Sequence, residues 1–193
     1  MERFWRHGFY ATSIEDLVAA TGLTRAALYA EIGDKAGLFR ASLALYSQEV
    51  VAPLLAPMES SPAGLADLKK YFETQIARAE RAGLPGPGCF MANTMIECSV
   101  VECSMAECGP HEESFSAVVS QHLKRMTEAF RLALQYESLQ RTGRRLVEVE
   151  RLAWNLTISA QGLWSVSRVV SDAKVLRAYA EDLFRQVERR LVR

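Results

Sequence analysis

The stretch from Thr12 to Phe39, TSIEDLVAATGLTRAALYAEIGDKAGLF, constrains the fold more than any other part of the chain. It carries two short apolar-periodic segments separated by Thr21-Gly22, and a third segment opens after Gly33-Asp34. In the first, Ile14, Leu17 and Val18 recur at i, i+3 and i+4, the spacing of one helix face. Thr12 is expected to cap this helix: its hydroxyl accepts an orphan amide proton, and Glu15, three residues on, reaches back. Gly22 suits the left-handed conformation that closes a helix. Thr24 is expected to cap the second helix, with Ala27, Leu28 and Ile32 turned inward. Gly33 breaks that helix and Asp34 caps the next, which opens at Lys35. Two short helices on a tight glycine turn make a helix-turn-helix, a motif that lays its second helix in the DNA major groove.

The order of the parts carries further information. The run GFYATSIEDLVAATGLTRAALYAEIGDKAGLF resembles the N-terminal domain of TetR-family transcriptional regulators. Gly8-Phe9, Thr12-Ser13, Gly22-Leu23-Thr24, Leu28-Tyr29, Asp34-Lys35 and Leu38-Phe39 stand where that family's motif has its counterparts. The likeness covers about the first quarter of the chain; the remainder is similar to the family in length and helical character. It implies a DNA-binding domain over residues 1–46 and an effector-binding and dimerisation domain over 47–193. It also implies that Thr24, Arg25, Ala26 and Tyr29 face the groove. Arg25 would donate a fork of hydrogen bonds to guanine or a phosphate. Tyr29 would bond a phosphate through its hydroxyl. Lys35 would meet the DNA backbone, aided by the free amide protons of its helix start. The bland alternative makes Arg25 a solvated surface residue and Tyr29 a core aromatic. Two departures stand out. Ala30-Glu31 follow Leu28-Tyr29 where relatives often have basic or polar aromatic residues, so Glu31 is expected to point away from phosphates. MERFWRHG reads as the tail of a first helix about half the family's length, as if shortened or lacking an upstream segment.

Composition alone would not suggest nucleic acid. The chain holds 23 basic and 23 acidic residues, and residues 1–50 carry a net charge of −1. Non-specific attraction to phosphates is therefore expected to be weak, and binding must rest on well-placed groups presented by a dimer. Hydrophobic residues make up 49% and follow helical rather than alternating periods, so the fold class is all-α. No apolar run reaches the roughly 18 residues of a membrane span. No leader is recognisable, and the four cysteines are expected to be reduced thiols in the cytoplasm. His7, His111 and His122 are scattered, and no nucleophile-base or paired-carboxylate set has a recognisable spacing, so neither enzyme chemistry nor a cofactor is expected.

Beyond the motif, a helix over 36–56 is expected to end at Pro53 and Pro57, and 58–64 reads as a polar loop. Leu65, Leu68, Phe72, Ile76 and Ala79 make one side of a helix over 65–82. GLPGPGC, 83–89, is a turn and no phosphate cradle, since no strand precedes it and no Gly-Lys-Ser/Thr follows. Gly88-Cys89-Phe90-Met91-Ala92-Asn93, with Glu97 four beyond the Asn, is similar to a pattern of one TetR subgroup, whose helix lines the effector cavity in relatives. Phe90, Met91, Thr94 and Met95 are thus candidate wall residues or ordinary core. His122, Met126, Trp154 and Trp164 join them as ligand-binding candidates, with core histidine the competing role for His122. Cys98, Cys103 and Cys108 recur every five residues, do not share a helix face, and no metal is expected. Cys89, in a first helical turn, is either a thiol sensor or plain packing. Helices are expected over 111–136, 148–169 and 174–191, with a connection over 137–145. By resemblance the last two pair with their copies across a two-fold axis.

The expected protein is a homodimeric, ligand-responsive transcriptional regulator, more a repressor than an activator. Its partners would be a palindromic double-stranded DNA operator and a small, largely apolar effector, with no membrane. The alternative is a small-molecule or thiol-sensing protein of the same fold with weakened or lost DNA binding.

Overall fold

The computed structural model describes residues 1–60, 62–100, 114–144 and 147–191, and only the backbone of 31, 32 and 98–100. Among the described residues every regular element is helical: α1 (Glu2–His7), α2 (Ile14–Thr21), α3 (Arg25–Ile32), α4 (Lys35–Tyr46), a π-helical turn (Ser47–Val51), α5 (Ala52–Ser60), α6 (Leu65–Ala82), α7 (Phe90–Val100), α8 (Phe115–Thr142), α9 (Val149–Val166) and α10 (Ala173–Leu191). None of these helices is long and apolar enough to cross a membrane. Cys98, Cys103 and Cys108, weighed above for metal, lie outside the described side chains, as does His111.

The contacts gather into two compact units. The first holds residues 1–51 and 89–122; the second holds 52–88 and 123–193. The first is built on rings. Phe39 is fully buried on α4, and four rings surround it: Phe4 at 5.0 Å, Phe9 at 5.2 Å, Phe90 at 5.4 Å and Phe115 at 4.7 Å between centroids. Most meet edge to face, the arrangement that aromatic quadrupoles favour. Phe90 also meets Tyr46, which meets Trp5. The helix-turn-helix thus stands on a floor made by α1, α4, α7 and the first turn of α8.

In the second unit, α6 buries the face read from its period: Leu65, Leu68, Phe72 and Ile76. Phe72 lies among Tyr71, Phe130, Trp164 and Phe184. Ion pairs tie the rim, including Lys69 to Glu188 at 2.7 Å and a two-pronged Arg125–Glu59 contact at 2.6 and 2.8 Å. Hydrogen bonds from Arg125, against the cost of burial, hold the Glu59 carboxyl below its ordinary value.

Besides α9, which stops at Val166 and not at 169, three boundaries differ from expectation. Ser13, not Thr12, caps α2, and its partner is Asp16 in a closed capping box. Thr12 is fully buried and its hydroxyl donates to the Gly8 carbonyl at 2.7 Å. Pro53 and Pro57 do not end the helix, which widens into the π turn and runs on as α5 to Ser60 with Pro57 inside it. Pro53 follows the π turn directly, where the regular i→i−4 ladder is already interrupted. Pro57 forfeits one backbone bond, but the burial of Leu55 and Met58 on either side holds the helix. Finally, α8 runs six residues past 136, because polar does not mean non-helical there. Glu137 pairs with Arg141 one turn on and accepts the Leu65 amide at 2.9 Å. Burial pushes the Glu137 carboxyl up, but these bonds outweigh it and the net direction is down.

Candidate nucleic-acid interface

Each turn of the helix-turn-helix is set by one local choice. Ser13 Oγ accepts the Asp16 amide and Asp16 accepts the Ser13 amide, satisfying two orphan donors. The Ser13 amide and hydroxyl lower the Asp16 pKa, with Arg3 adding a 2.8 Å contact from α1. Gly22 closes α2 at φ 70°, ψ 5°, a conformation that costs a side-chain-bearing residue about 1–2 kcal/mol. Thr24 Oγ1 then accepts the Ala27 amide at 3.2 Å and starts α3. Gly33 ends α3, and Asp34 Oδ1 accepts the Gly37 amide at 2.6 Å to start α4.

This framing leaves one side of α3 open. Leu28 is its buried anchor. At about 100° per residue, Arg25, Tyr29, Ala26 and Ala30 follow one another round the arc away from Leu28. Thr24, Arg25 and Ala26 are exposed and Tyr29 is half-buried. The Arg25 side chain keeps 64% of its surface in water, and its guanidinium stands 3.7 Å from Glu15 and 5.6 Å from the Tyr29 ring centroid. Both contacts are loose and solvated, so a base or phosphate can compete for that guanidinium. Tyr29 is therefore neither core nor wholly free; it steadies Arg25 from beneath. Lys35 places its ammonium 4.4 Å above the Phe9 ring in the first turn of α4. The side chain of Glu31 lies outside the described residues.

The cap is completed by Asp16 and not by the expected Glu15, which instead faces Arg25. An exposed ion pair of this kind is worth about 0.2–1 kcal/mol, which a base or phosphate taking the guanidinium would have to displace. Glu15→Gln, present in both copies of a dimer, is expected to raise DNA affinity roughly 2- to 30-fold by twice that energy, measured by fluorescence anisotropy at fixed salt. An unchanged or lower affinity would show that the pair does not compete with DNA.

The ligand candidates fall in different places. Phe90, Met91 and Thr94 are fully buried in the first unit, Phe90 within the ring cluster and Thr94 bonded back to the Phe90 carbonyl. Met95 on the same helix is half-buried. His122 is buried at the end of the first unit's share of α8. Met126 and Trp164 are buried in the second unit, where Met126 Sδ lies 3.4 Å from Tyr71 Oη and 3.9 Å from Gln161 Nε2. Trp154 is 43% exposed on α9 and belongs to an outer face, not to an interior wall. Cys89 is buried. Tyr71 and Gln161, which no periodic signal distinguishes from other core-facing positions, stand beside Met126.

A capped, glycine-bounded second helix carrying an open polar arc defines a helix-turn-helix protein of the DNA-binding class. Residues 1–42 match the family described as bacterial regulatory proteins, tetR family. The HTH-type transcriptional repressor ComR of Escherichia coli (strain K12) is 42% identical over 97 residues, 48% of this chain. That match spans 44% of the relative's length. A TetR transcriptional regulator from Chloroflexus aurantiacus J-10-fl has the same fold, with a TM-score of 0.76 at 22% identity over 96% of this chain and 88% of that one. A TetR-family regulator from Cytophaga hutchinsonii gives 0.70 at 19% identity over 98% and 87%. The first 42 residues thus match the tetR family, and the chain has the fold of TetR-family regulators of known structure.

Proposed function

We propose that this chain is a cytoplasmic, homodimeric repressor that binds a palindromic DNA operator and is released by a small, largely apolar effector. Residues 1–46 read the operator; 47–193 bind the effector and the second copy. The observation that carries this is the open arc of α3, where Arg25 is held only by loose, solvated contacts. Arg25 reads a base edge or phosphate, Tyr29 and Lys35 take phosphates, and Thr24 and Ala26 pack along the groove wall. The name of the ComR relative supports repression over activation.

Dimerisation is supported by an apolar outer face on α9 and α10. Trp154, Ile158, Val175 and Tyr179 are between 43% and 64% exposed, more than a lone surface residue of each type would suggest together. Ile158 and Tyr179 border a groove of about 420 Å³ between the two helices, which a side chain of the partner could enter. Two copies meeting there form a four-helix interface around a two-fold axis. Ile158→Asp is expected to give a folded monomer in sedimentation at micromolar concentration, where the parent sediments as a dimer. A dimeric variant would move the interface elsewhere.

The effector site rests on buried polarity. Gln161 Oε1 and Trp164 Nε1, one turn apart on α9, are buried without hydrogen-bond partners among the described residues. Each such atom costs about 1–3 kcal/mol, a cost a ligand can relieve. Met126 and Trp164 are the binding residues, joined by Tyr71 and Gln161. The deciding experiment is selection from a random duplex library by the purified protein. Enrichment of a two-fold symmetric sequence supports the reading; a folded dimer that enriches nothing leaves a small-molecule-binding protein of the same fold.

A further inference from the structure

The ring floor alone does not hold the reading head. The Glu97 carboxylate on α7 accepts two consecutive backbone amides from the α1–α2 turn: Phe9 N–H to Oε2 at 2.9 Å and Tyr10 N–H to Oε1 at 2.8 Å. One turn earlier on α7, the Asn93 side-chain amide donates to the Trp5 carbonyl at 3.3 Å. Residues i and i+4 share a helix face, so one stripe of α7 fastens both the end of α1 and the turn that follows. The turn itself is shaped to receive the carboxylate. Gly8 sits at φ 83°, and a Cβ built there would lie 2.6 Å from Glu97 Oε2. Thr12 ties the other side of the turn back to the Gly8 carbonyl at 2.7 Å.

We propose that Glu97 is a positioning residue for DNA recognition: a two-pronged staple from α7 that sets the angle at which α2 and α3 are presented. The assignment rests on the proposed DNA-reading function. Glu97 touches no base. It fixes Phe9 and Tyr10, and Phe9 carries the Lys35 ammonium on its ring while Arg3 of α1 grips Asp16 at the start of α2. A carboxylate is required because two adjacent N–H groups aim at two acceptor oxygens; an amide offers one oxygen and would turn its own N–H₂ against the second amide. Base readout needs angular precision, whereas phosphate attraction tolerates a tilted head. The staple should therefore matter for specific binding and not for non-specific binding.

Glu97→Gln in the full-length protein is expected to lower affinity for the duplex enriched by the parent at least tenfold, with affinity for a scrambled duplex unchanged. Amide exchange at Phe9 and Tyr10 should accelerate in the same variant. Glu137→Gln is the control, since that carboxylate accepts one backbone amide in the second unit and its loss is a stability effect alone. If both variants lose affinity only in proportion to their melting temperatures, or if Glu97→Gln binds both duplexes like the parent, the staple is overturned. A parent protein that enriches no sequence overturns the DNA-reading function, and this role with it.

Discussion

Arg25→Ala is expected to abolish sequence-specific DNA binding while leaving the protein folded and dimeric. The guanidinium is the one long cation on the open arc of α3, and its contacts within the chain are an exposed 3.7 Å approach to Glu15 and a 5.6 Å approach to the Tyr29 ring. Removing it therefore leaves no buried group unsatisfied, and the stability cost should stay within about 0.5 kcal/mol. On DNA the balance is different. A forked contact to guanine is worth about 1–3 kcal/mol, and a two-fold dimer makes it twice. The expected loss is then roughly 30-fold to 10⁴-fold in affinity for the selected duplex, read by anisotropy at fixed salt. Arg25→Lys should recover only part of it, because an ammonium keeps the charge but not the planar fork. If the alanine variant binds within about threefold of the parent, Arg25 is a surface residue and another side chain reads the bases.

Most of the reading head was legible because its determinants are local. Gly22, Thr24, Gly33 and Asp34 act on their own dihedrals and on amides two or three residues away, so sequence order alone locates α3 and the start of α4. The bounds of α6 were equally plain from its apolar period. The α2 cap shows where local rules run out. Thr12 and Ser13 each have an acidic residue three positions on, so both satisfy the same pattern. The choice is made by burial: the fold pulls Thr12 inside and spends its hydroxyl on Gly8. Pro57 misleads for a similar reason, since packing of Leu55 and Met58 outweighs one lost backbone bond. Glu97 was visible only as a member of a spaced motif. Its partners lie 87 and 88 residues away, and no local rule brings a carboxylate to two amides at that separation.

The same reasoning makes Phe39 the residue on which the first unit depends. Its ring is fully buried and contacts rings from α1, the α1–α2 turn, α7 and the first turn of α8. Phe9 also meets four rings, but one belongs to its chain neighbour Tyr10; the rings around Phe39 come from four separate segments. Phe39→Ala removes a large apolar side chain and opens a cavity whose walls belong to four separate segments, so collapse of the walls cannot close it cheaply. The expected cost is about 3–5 kcal/mol, the upper range for core truncation. Typical domains have only about 5–15 kcal/mol to lose. In a chain of this size each kcal/mol lowers the melting temperature by roughly 2–4 °C, so thermal unfolding should begin about 10 °C earlier. Phe39→Leu keeps most of the volume and loses the ring geometry, so it should cost well under half as much. Because the floor also sets the head, DNA affinity in Phe39→Ala should fall even at temperatures where circular dichroism still reports full helix. A melting shift below about 3 °C in the alanine variant would mean that the ring cluster is adjacency without energetic weight.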